Sequence, residues 1–322
     1  MKKPKALVLF SGGLDSLLTV KILQKQGIKV ECVNFITPFS KETKPPFGLK
    51  LHKVRVGKEY FDMIMNPKHG YGSEINPCVD CKIYMLKKAK SLAKKINADF
   101  IATGEVLGQR PFSQRKNLLL RIEKEAGLKN KILRPLSAKL LKETEPEKQG
   151  LIKREKLSDI QGRSRKKQLK LAKEFGIKNI PSPGGGCLLT DPEFAKRVRD
   201  VLKNKETINW ETAEVLKLGR HFRFQGTKIV VGRNEEENKK LFGLGKKLGA
   251  FILETKDYPG PVALVFLKSK NKSVLKKAAQ LTASYSDAPK TKETDVNIEK
   301  GRKKEIIKVK PLTRKQRQKL MI

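Results

Sequence analysis

Ser11-Gly12-Gly13-Leu14-Asp15-Ser16 follows a short apolar run, Ala6 to Phe10, and precedes a helical pattern that begins at Leu17. A strand feeding a glycine turn and then a helix makes an anion site. Glycine lets the backbone approach a ligand and take dihedrals closed to other residues, so successive N–H groups point into one concavity at the positive end of the helix dipole. Ser11 and Ser16 add hydroxyl donors. Neither the Walker spacing, G-x-x-x-x-G-K-S/T, nor G-x-G-x-x-G is present, so this is a different phosphate loop. A second set of reactive residues is the cysteines. Cys78 and Cys81 form a C-x-x-C pair after Asn76-Pro77, Cys187 follows Gly184-Gly185-Gly186, and Cys32 sits in an apolar strand pattern as a small buried hydrophobe. The spacing predicts that the first three thiols lie in loops. The nearest histidine to the pair, His69, has no evident partner, which leaves a zinc site short of donors. Three thiolates suit an iron–sulfur cluster with one iron left open, and that iron could hold a sulfide. Alternatively, Cys78 or Cys81 is a nucleophile and Cys187 carries a persulfide or resolves a disulfide; structural zinc or incidental cysteines remain open as well.

The elements that must position these residues read as a parallel sheet. Leu17 to Gln26 is an amphipathic helix stopped by Gly27, and Ile28 to Val33 alternates as a strand. Further strands are predicted at 51–56, 99–103 and 131–134, with a helix at 83–96. The expected fold is therefore α/β, a doubly wound parallel sheet, with its ligand crevice at the carboxyl ends of the strands. The phosphate loop, Thr103-Gly104-Glu105 and the turn after Arg134 would gather there. A basic helix at 192–203 and a polar connector follow, and the pattern then shifts to shorter strand-like runs at 228–234 and 261–266 around a helix at 238–248. This predicts a first domain over 1–204 and a smaller α+β domain over 205–322. The lysine- and arginine-rich end after Glu299 holds one strand-like piece, 306–309, and reads as either a disordered solubilising tail or a basic arm.

Composition narrows the partners. Across 322 residues, 72 Lys+Arg stand against 33 Asp+Glu, a formal net charge of +39. Lysine-rich thermophilic chains usually raise glutamate alongside lysine, and here the acids do not keep pace, so a polyanion such as nucleic acid is the expected partner. With 6% aromatic residues and one tryptophan, Trp210, there is little sign of a base-stacking platform. No membrane span or secretory leader is apparent, and a cytoplasmic location is expected.

These residues resemble a known group. Ser11 to Ser16 resembles the pyrophosphate loop, S-G-G-x-D-S, of the ATP pyrophosphatases. Together with Asn76-Pro77-Cys78-Val79-Asp80-Cys81-Lys82, the run Ile101 to Arg110 with Ser113-Gln114, and Cys187, it is similar to the catalytic domain of the 4-thiouridine-type tRNA thiouridine synthetases, over roughly the first two thirds of the chain. The Asn-Pro-Cys-x-x-Cys segment also resembles the 2-thiouridine branch. The resemblance implies an adenine nucleotide α-hydrolase-like fold, with ATP phosphates on Ser11, Gly12, Gly13, Asp15 and Ser16 and with Mg²⁺ present. It implies attack of a uridine carbonyl oxygen on the α-phosphate, then displacement of AMP by sulfur. In the cluster-dependent branch, Cys78, Cys81 and Cys187 would hold a [4Fe-4S] cluster. Asp15 and the three cysteines are thus the implied catalytic residues. Gly104, Glu105, Gln109 and Gln114 would shape the nucleotide or base pocket, and Asp80 is a candidate for moving protons.

The distal part resembles the RNA-binding domain of ribosome-quality-control proteins of the NFACT type, through Val231-Gly232-Arg233-Asn234 with Glu237-Asn238, then Tyr258-Pro259-Gly260-Pro261, then Ala278 with Ser284-Tyr285-Ser286. Arg233 and Asn234 would be RNA contacts, unless the segment is only a hairpin turn. The expected activity is an ATP-dependent tRNA sulfurtransferase with tRNA as partner and sulfide or a separate sulfur donor, a homodimer being compatible. Two competing readings are an amide-forming ATP pyrophosphatase and a non-catalytic, nucleotide-gated RNA-binding factor. The three loop cysteines speak against both, since neither needs a thiol.

Overall fold

The computed structural model describes residues 3–40, 42–180, 186–267 and 269–322, in two compact units, Met1–Thr190 and Asp191–Ile322. In the first, chain order is β1 (Lys5–Leu9), α1 (Leu14–Lys25), β2 (Lys29–Ile36), β3 (Leu51–Arg55), α2 (Lys58–Met65), α3 (Cys78–Lys95), β4 (Phe100–Thr103), α4 (Lys116–Glu125), β5 (Ile132–Leu133), α5 (Glu145–Lys148) and α6 (Lys166–Glu174). The five strands pair in the order β3-β2-β1-β4-β5, all parallel. Central strand β1 shows why the sheet is covered twice. Ala6 and Val8 enter a core with Leu18, Leu23 and Ala172, from α1 and α6, whereas Leu7 enters a second core with Ile83, Leu86 and Ile122, from α3 and α4. Such two-sided burial is what a near-continuous apolar strand requires. Each fully buried Leu, Val or Ile stabilises by roughly 1.5–3 kcal/mol. The doubly wound parallel sheet expected from the sequence is thus present, with its switch between β1 and β4.

The second unit contains α7 (Pro192–Lys203), α8 (Trp210–Lys217), β6 (Arg220–Phe224), β7 (Thr227–Val231), α9 (Glu235–Leu248), β8 (Phe251–Thr255), β9 (Ala263–Val265), α10 (Lys272–Ser284), β10 (Thr294–Lys300), β11 (Lys303–Val309) and α11 (Arg314–Gln318). Its six strands form an antiparallel sheet, β11-β10-β8-β9-β7-β6. Alternation along β7 again divides two cores. Ile229 and Val231 pack with Val274 and Ala278 of α10, and Val230 packs with Leu241 of α9 and Val215 of α8. This is the expected α+β second domain, but two features differ. The compact units divide after Thr190, so α7 packs with the second unit rather than the first. Its Asp200 carboxylate is tied to Arg223 on β6 (Nε to Oδ1, 3.1 Å), and Arg197 donates to the Leu216 carbonyl at 2.8 Å. The basic tail is neither disordered nor a free arm. Lys303–Val309 pairs with β10, and Met321 bridges to Phe222. No helix among the described residues is long and apolar enough to cross a membrane.

Candidate functional site: an anion loop beside three thiols

The loop after β1 is built as an open cradle. Gly12 takes φ +78°, closed to most side chains, and a Cβ there would stand 2.7 Å from Thr43 Cγ2. Gly13 is the N-cap of α1, and no side chain caps the helix, which leaves its positive end to an anion. Ser11 Oγ accepts from Gly13 N at 3.4 Å and Ser16 Oγ donates to the Gly13 carbonyl at 2.7 Å, so both hydroxyls lie on the turn. Asp15 lies one residue into the helix. Burial raises its carboxyl above the usual range, against the hydrogen bond from Gln109 and the more distant Arg165 and Arg110. Gln109 Nε2 donates to Asp15 Oδ2 at 3.1 Å, Gln168 also stands beside the carboxylate, and Oδ1 is buried without a hydrogen bond among the described residues. A carboxylate oxygen orphaned beside an anion loop is the group Mg²⁺ takes when it also binds substrate phosphates.

Gly104 follows β4 at the switch point. A Cβ on it would come within 2.7 Å of Asp15 C and Ser16 N, so only glycine lets this strand end lie against the loop. Glu105 has a different environment from an open pocket wall. Burial would raise its carboxyl, but Lys82 and Arg134 hold it at about 2. Lys82 Nζ stands 2.5 Å from Oε1, Arg134 Nε donates to Oε2 at 3.0 Å, and Thr103 Oγ1 donates to Oε2 at 3.1 Å. Glu105 therefore fixes Lys82, the residue next to Cys81, rather than facing a nucleotide. Gln114 closes a turn: its N–H donates to the Arg110 carbonyl at 2.8 Å, its carbonyl accepts from Gly108 N, and its Oε1 is buried without a partner.

The thiols come together. Two of the three do not lie in loops, whereas Cys187 does, on a segment bridged to Ser40. Cys78 and Cys81 open α3, with Pro77 as N-cap. Asp80, in the same turn, accepts from His69 N at 2.9 Å and so anchors the preceding loop; no proton-moving geometry attaches to it. His69 is not partnerless, since its Nε2 lies 3.1 Å from Glu125. Cys187 reaches the pair through backbone bonds. Leu188 N donates to the Phe39 carbonyl at 2.8 Å, and Leu189 O accepts from Ile75 N, three residues before Cys78. Gly184 and Gly185 lie outside the described residues; Gly186, which is described, has open space where a Cβ would be. Burial pushes Cys81 up to about 12, with Cys187 and Cys78 adding to it, and pushes Cys187 up to about 11, with Cys78 adding to it; Cys78 is raised by burial against the pull of Lys82 and Arg110. The three thiols are thus in one another's electrostatic reach. Among the described residues, no group of three or more His, Cys, Asp or Glu side chains already stands as a ligand set. Cys32 is buried in the sheet, as expected.

Such thiols should be inert at neutral pH. At pH 8 a thiol held at about 11 is roughly 0.1% thiolate, and that fraction grows about tenfold per pH unit. Iodoacetamide labelling of the metal-free protein, read by peptide mass spectrometry, should accordingly rise about tenfold per unit between pH 8 and 10 at Cys187. Cys81 should lag behind it. Labelling of Cys187 that is complete at pH 7 would contradict the burial described above.

Two groups at this site are absent from the sequence-level list. Tyr60, on α2, is buried against Phe39 and Tyr84, and its hydroxyl bonds the Cys81 thiol; burial, Cys81 and Cys187 together raise it well above the usual phenol range. A tyrosine in an apolar helix face carries no sign of this in the sequence. Arg110 acts on Asp15, Cys78 and Cys187 alike, and so links the anion loop to the thiols. In the second unit, Asn234 caps α9 by accepting from Glu237 N at 2.9 Å, and Arg233 pairs with Glu237. The segment is a strand-to-helix junction, not a hairpin turn. Gly260 packs against Ser286, where a Cβ would meet Ser286 Cβ at 2.7 Å, and the Tyr285 ring lies between Arg220 and Arg317, 4.6 and 4.5 Å from its centroid.

A doubly wound parallel sheet with an uncapped glycine loop at its switch point defines a mononucleotide-binding type of α/β domain. More narrowly, residues 2–143 match the family model described as Thiamine biosynthesis protein (ThiI), and residues 219–321 match the NFACT protein RNA binding domain. The chain thus carries a segment similar to the ThiI family followed by one similar to the NFACT RNA-binding domain, each match covering less than half of the chain. It is 32% identical over 116 residues to the "Probable tRNA sulfurtransferase" of Ureaplasma parvum serovar 3, covering 33% of this chain and 30% of that one. To the protein of the same description from Saccharolobus solfataricus it is 26% identical over 232 residues, 66% of this chain and 52% of the relative. To the "tRNA-specific 2-thiouridylase MnmA" of Mannheimia succiniciproducens it is 29% identical over 139 residues, 36% of each. The chain thus spans about a third to a half of the length of these curated relatives.

Proposed function

We propose that this chain is an ATP-dependent tRNA sulfurtransferase that adenylates a uridine carbonyl oxygen and replaces it with sulfur. The first unit is its catalytic domain and the second its grip on RNA. The observation that carries this reading is the placement of an anion loop and three thiols at one end of one sheet, with Arg110 acting on both. The relatives' names point the same way, and +39 net charge suits a tRNA partner.

ATP phosphates rest on the N–H groups of Gly12, Gly13 and the first turn of α1, with Ser11 as a hydroxyl donor and Ser16 as a second once its Oγ turns from the Gly13 carbonyl. Asp15, oriented by Gln109, would hold Mg²⁺ through its orphaned oxygen. The uracil oxygen bonds to the α-phosphorus as the bond to pyrophosphate breaks. Sulfide then bonds to the ring carbon, and the oxygen leaves with AMP. The exchange is redox-neutral with sulfide as donor, whereas a cysteine persulfide would leave a disulfide to be reduced. Adenylation matters because a uracil oxygen is otherwise a poor leaving group, and the loop N–H groups stabilise the charge that develops on pyrophosphate.

Three mutually coupled thiols have the donor chemistry of a [4Fe-4S] cluster, and Cys78, Cys81 and Cys187 would hold it. When bound, the cluster supplies an open iron for the sulfur to be transferred. Loading requires the thiols to lose their protons, a step that Lys82 and Arg110 assist for Cys78.

Nucleoside mass spectrometry tests the reading, on unmodified tRNA incubated anaerobically with iron-reconstituted protein, Mg-ATP and sulfide. A thiouridine peak is expected, and its identity gives the modified position. AMP and pyrophosphate released without thiouridine would sink the proposal. Gly104→Ala should lower AMP formation by on the order of 10²-fold, because its Cβ displaces the backbone of Asp15 and Ser16 by a fraction of an ångström or more. An unchanged rate in pyrophosphate-release assays would separate Gly104 from the nucleotide site.

A further inference from the structure

Beside the first turn of α3 lies a cavity of about 500 Å³, and Cys78 is part of its wall. Its other walls come from two segments. One is 68–72, held by His69 N on Asp80, by Tyr71 Oη donating to the Ile64 carbonyl at 2.8 Å, and by Gly72 N on the Asn76 carbonyl at 2.8 Å. The other is the Arg110–Gln114 turn, which carries Pro111 and Phe112 into the cavity and leads into α4 with Arg115 and Arg121. Phe112 is 49% exposed, unusual for a phenylalanine on a turn whose backbone is tied at both ends. A large exposed ring beside a half-buried thiol, with cations at the rim, has the composition of a site for one flat, uncharged ring attached to a phosphate chain.

Resting on the sulfurtransferase reading, we propose that this cavity receives the target pyrimidine after it is unstacked from the RNA, with Phe112 as the stacking surface and Arg115 and Arg121 on the flanking phosphates. Phe112 follows Arg110 by two residues on the same tied turn. The turn that carries Arg110, whose charge acts on Asp15 and on Cys78, therefore also carries the ring that lines the cavity beside Cys78. Among the described residues neither arginine pairs with a carboxylate, whereas Lys68 is committed to Glu125 at 2.9 Å and is not needed for the phosphates. Enzymes that act on a base pay for unstacking with just such a ring, and a single one suffices where a single base is held.

Photo-crosslinking and kinetics test this on the full chain. A tRNA transcript with 5-iodouridine in place of uridine is irradiated in the complex and the crosslinked peptides are mapped. Crosslinks at Phe112 or Tyr71 are expected. Phe112→Ala should lower thiouridine formation at saturating tRNA by about 10- to 100-fold, a typical worth for one stacked base, while tRNA affinity shifts by less than about threefold because most phosphate contacts lie elsewhere. Phe112→Tyr should restore most of the rate, which a merely structural role would not require. Crosslinks confined to residues 191–322, or a Phe112→Ala protein that thiolates at the wild-type rate, would overturn the proposal. If the unaltered protein made no thiouridine at all, the sulfurtransferase reading would fail, and crosslinks at Phe112 would still separately assign the cavity to a pyrimidine.

Discussion

Cys187→Ala is expected to lower thiouridine formation by on the order of 10³-fold or more while tRNA-dependent AMP release stays within a few fold of normal. The split follows from where the residue is held. Cys187 reaches the site through the Leu188 N–Phe39 O and Ile75 N–Leu189 O bonds, none of which involves its side chain. Alanine therefore removes one sulfur and leaves the loop in place. The anion cradle is built from a different segment, residues 11–16 with Gly104 behind it, so adenylation should survive. Cys78→Ala and Cys81→Ala distinguish the sulfur chemistries. If all three thiols jointly hold one cluster, each substitution should abolish sulfur transfer and iron loading together. If sulfur instead travels as a persulfide on one cysteine, at least one of the other two should retain measurable transfer with no change in iron content. Anaerobic nucleoside mass spectrometry beside iron analysis reads both. Parallel loss of AMP formation and thiouridine in Cys187→Ala would show that the residue supports the nucleotide site, contrary to the geometry.

What was legible in the sequence was local. The five strands of the first sheet, the α1 start near the glycine loop and the α+β character of the second domain follow from periodicity and glycine placement, which act within ten residues or so, whereas β6, β8 and β10 and the antiparallel pairing do not. The sequence pattern puts the cysteine pair in a loop because cysteine is no helix-start signal; Pro77, the N-cap of α3, is the nearest cue to a helix start. That Cys187 would meet Cys78 depends on two backbone bonds across more than a hundred residues, and no local pattern encodes them. Glu105 shows the same limit. Its motif position suggested a ligand-facing carboxylate, whereas the partners that occupy it, Lys82 and Arg134, come from elements on either side of it in the chain. Composition also hid Phe112: a 6% aromatic content argues against a stacking platform, yet says nothing about one ring on one turn. The charge of the tail after Glu299 suggests either a disordered tail or a basic arm, and its strand-like piece, 306–309, is the only cue to what it forms. Its strand pairs with β10 on every residue from Lys303 to Val309, and side chains that point to solvent carry the charge.

Arg134→Met should destabilise the first unit by roughly 3–5 kcal/mol, the largest stability effect expected of any single substitution here. Arg134 is 3% exposed and lies between two carboxylates that are just as buried, Glu105 and Glu123. Methionine keeps most of the volume but leaves Glu123 without its cation and Glu105 with Lys82 alone. An uncompensated buried charge is far costlier than the pair was ever worth, since the triad itself roughly breaks even against apolar packing. The same logic predicts partial rescue. Glu123→Gln added to Arg134→Met removes the stranded charge and should recover more than half of the loss, a non-additivity expected for groups in contact. A pH effect has a defined sign. Glu105 is held at about 2 in the folded state against an ordinary value near 4.5, so folding favours its ionised form. That stabilisation is complete above about pH 4.5 and disappears as pH falls toward 2; it should be absent in the Arg134→Met protein only to the extent that Lys82 cannot hold the carboxylate alone. Hydrogen exchange of the β4 and β5 amides reads the first unit by itself, without interference from the second. Exchange rates in Arg134→Met that match the unaltered protein, at pH 7 and at pH 4 alike, would mean that water reaches this triad and that its burial is not what organises the carboxyl ends of β4 and β5.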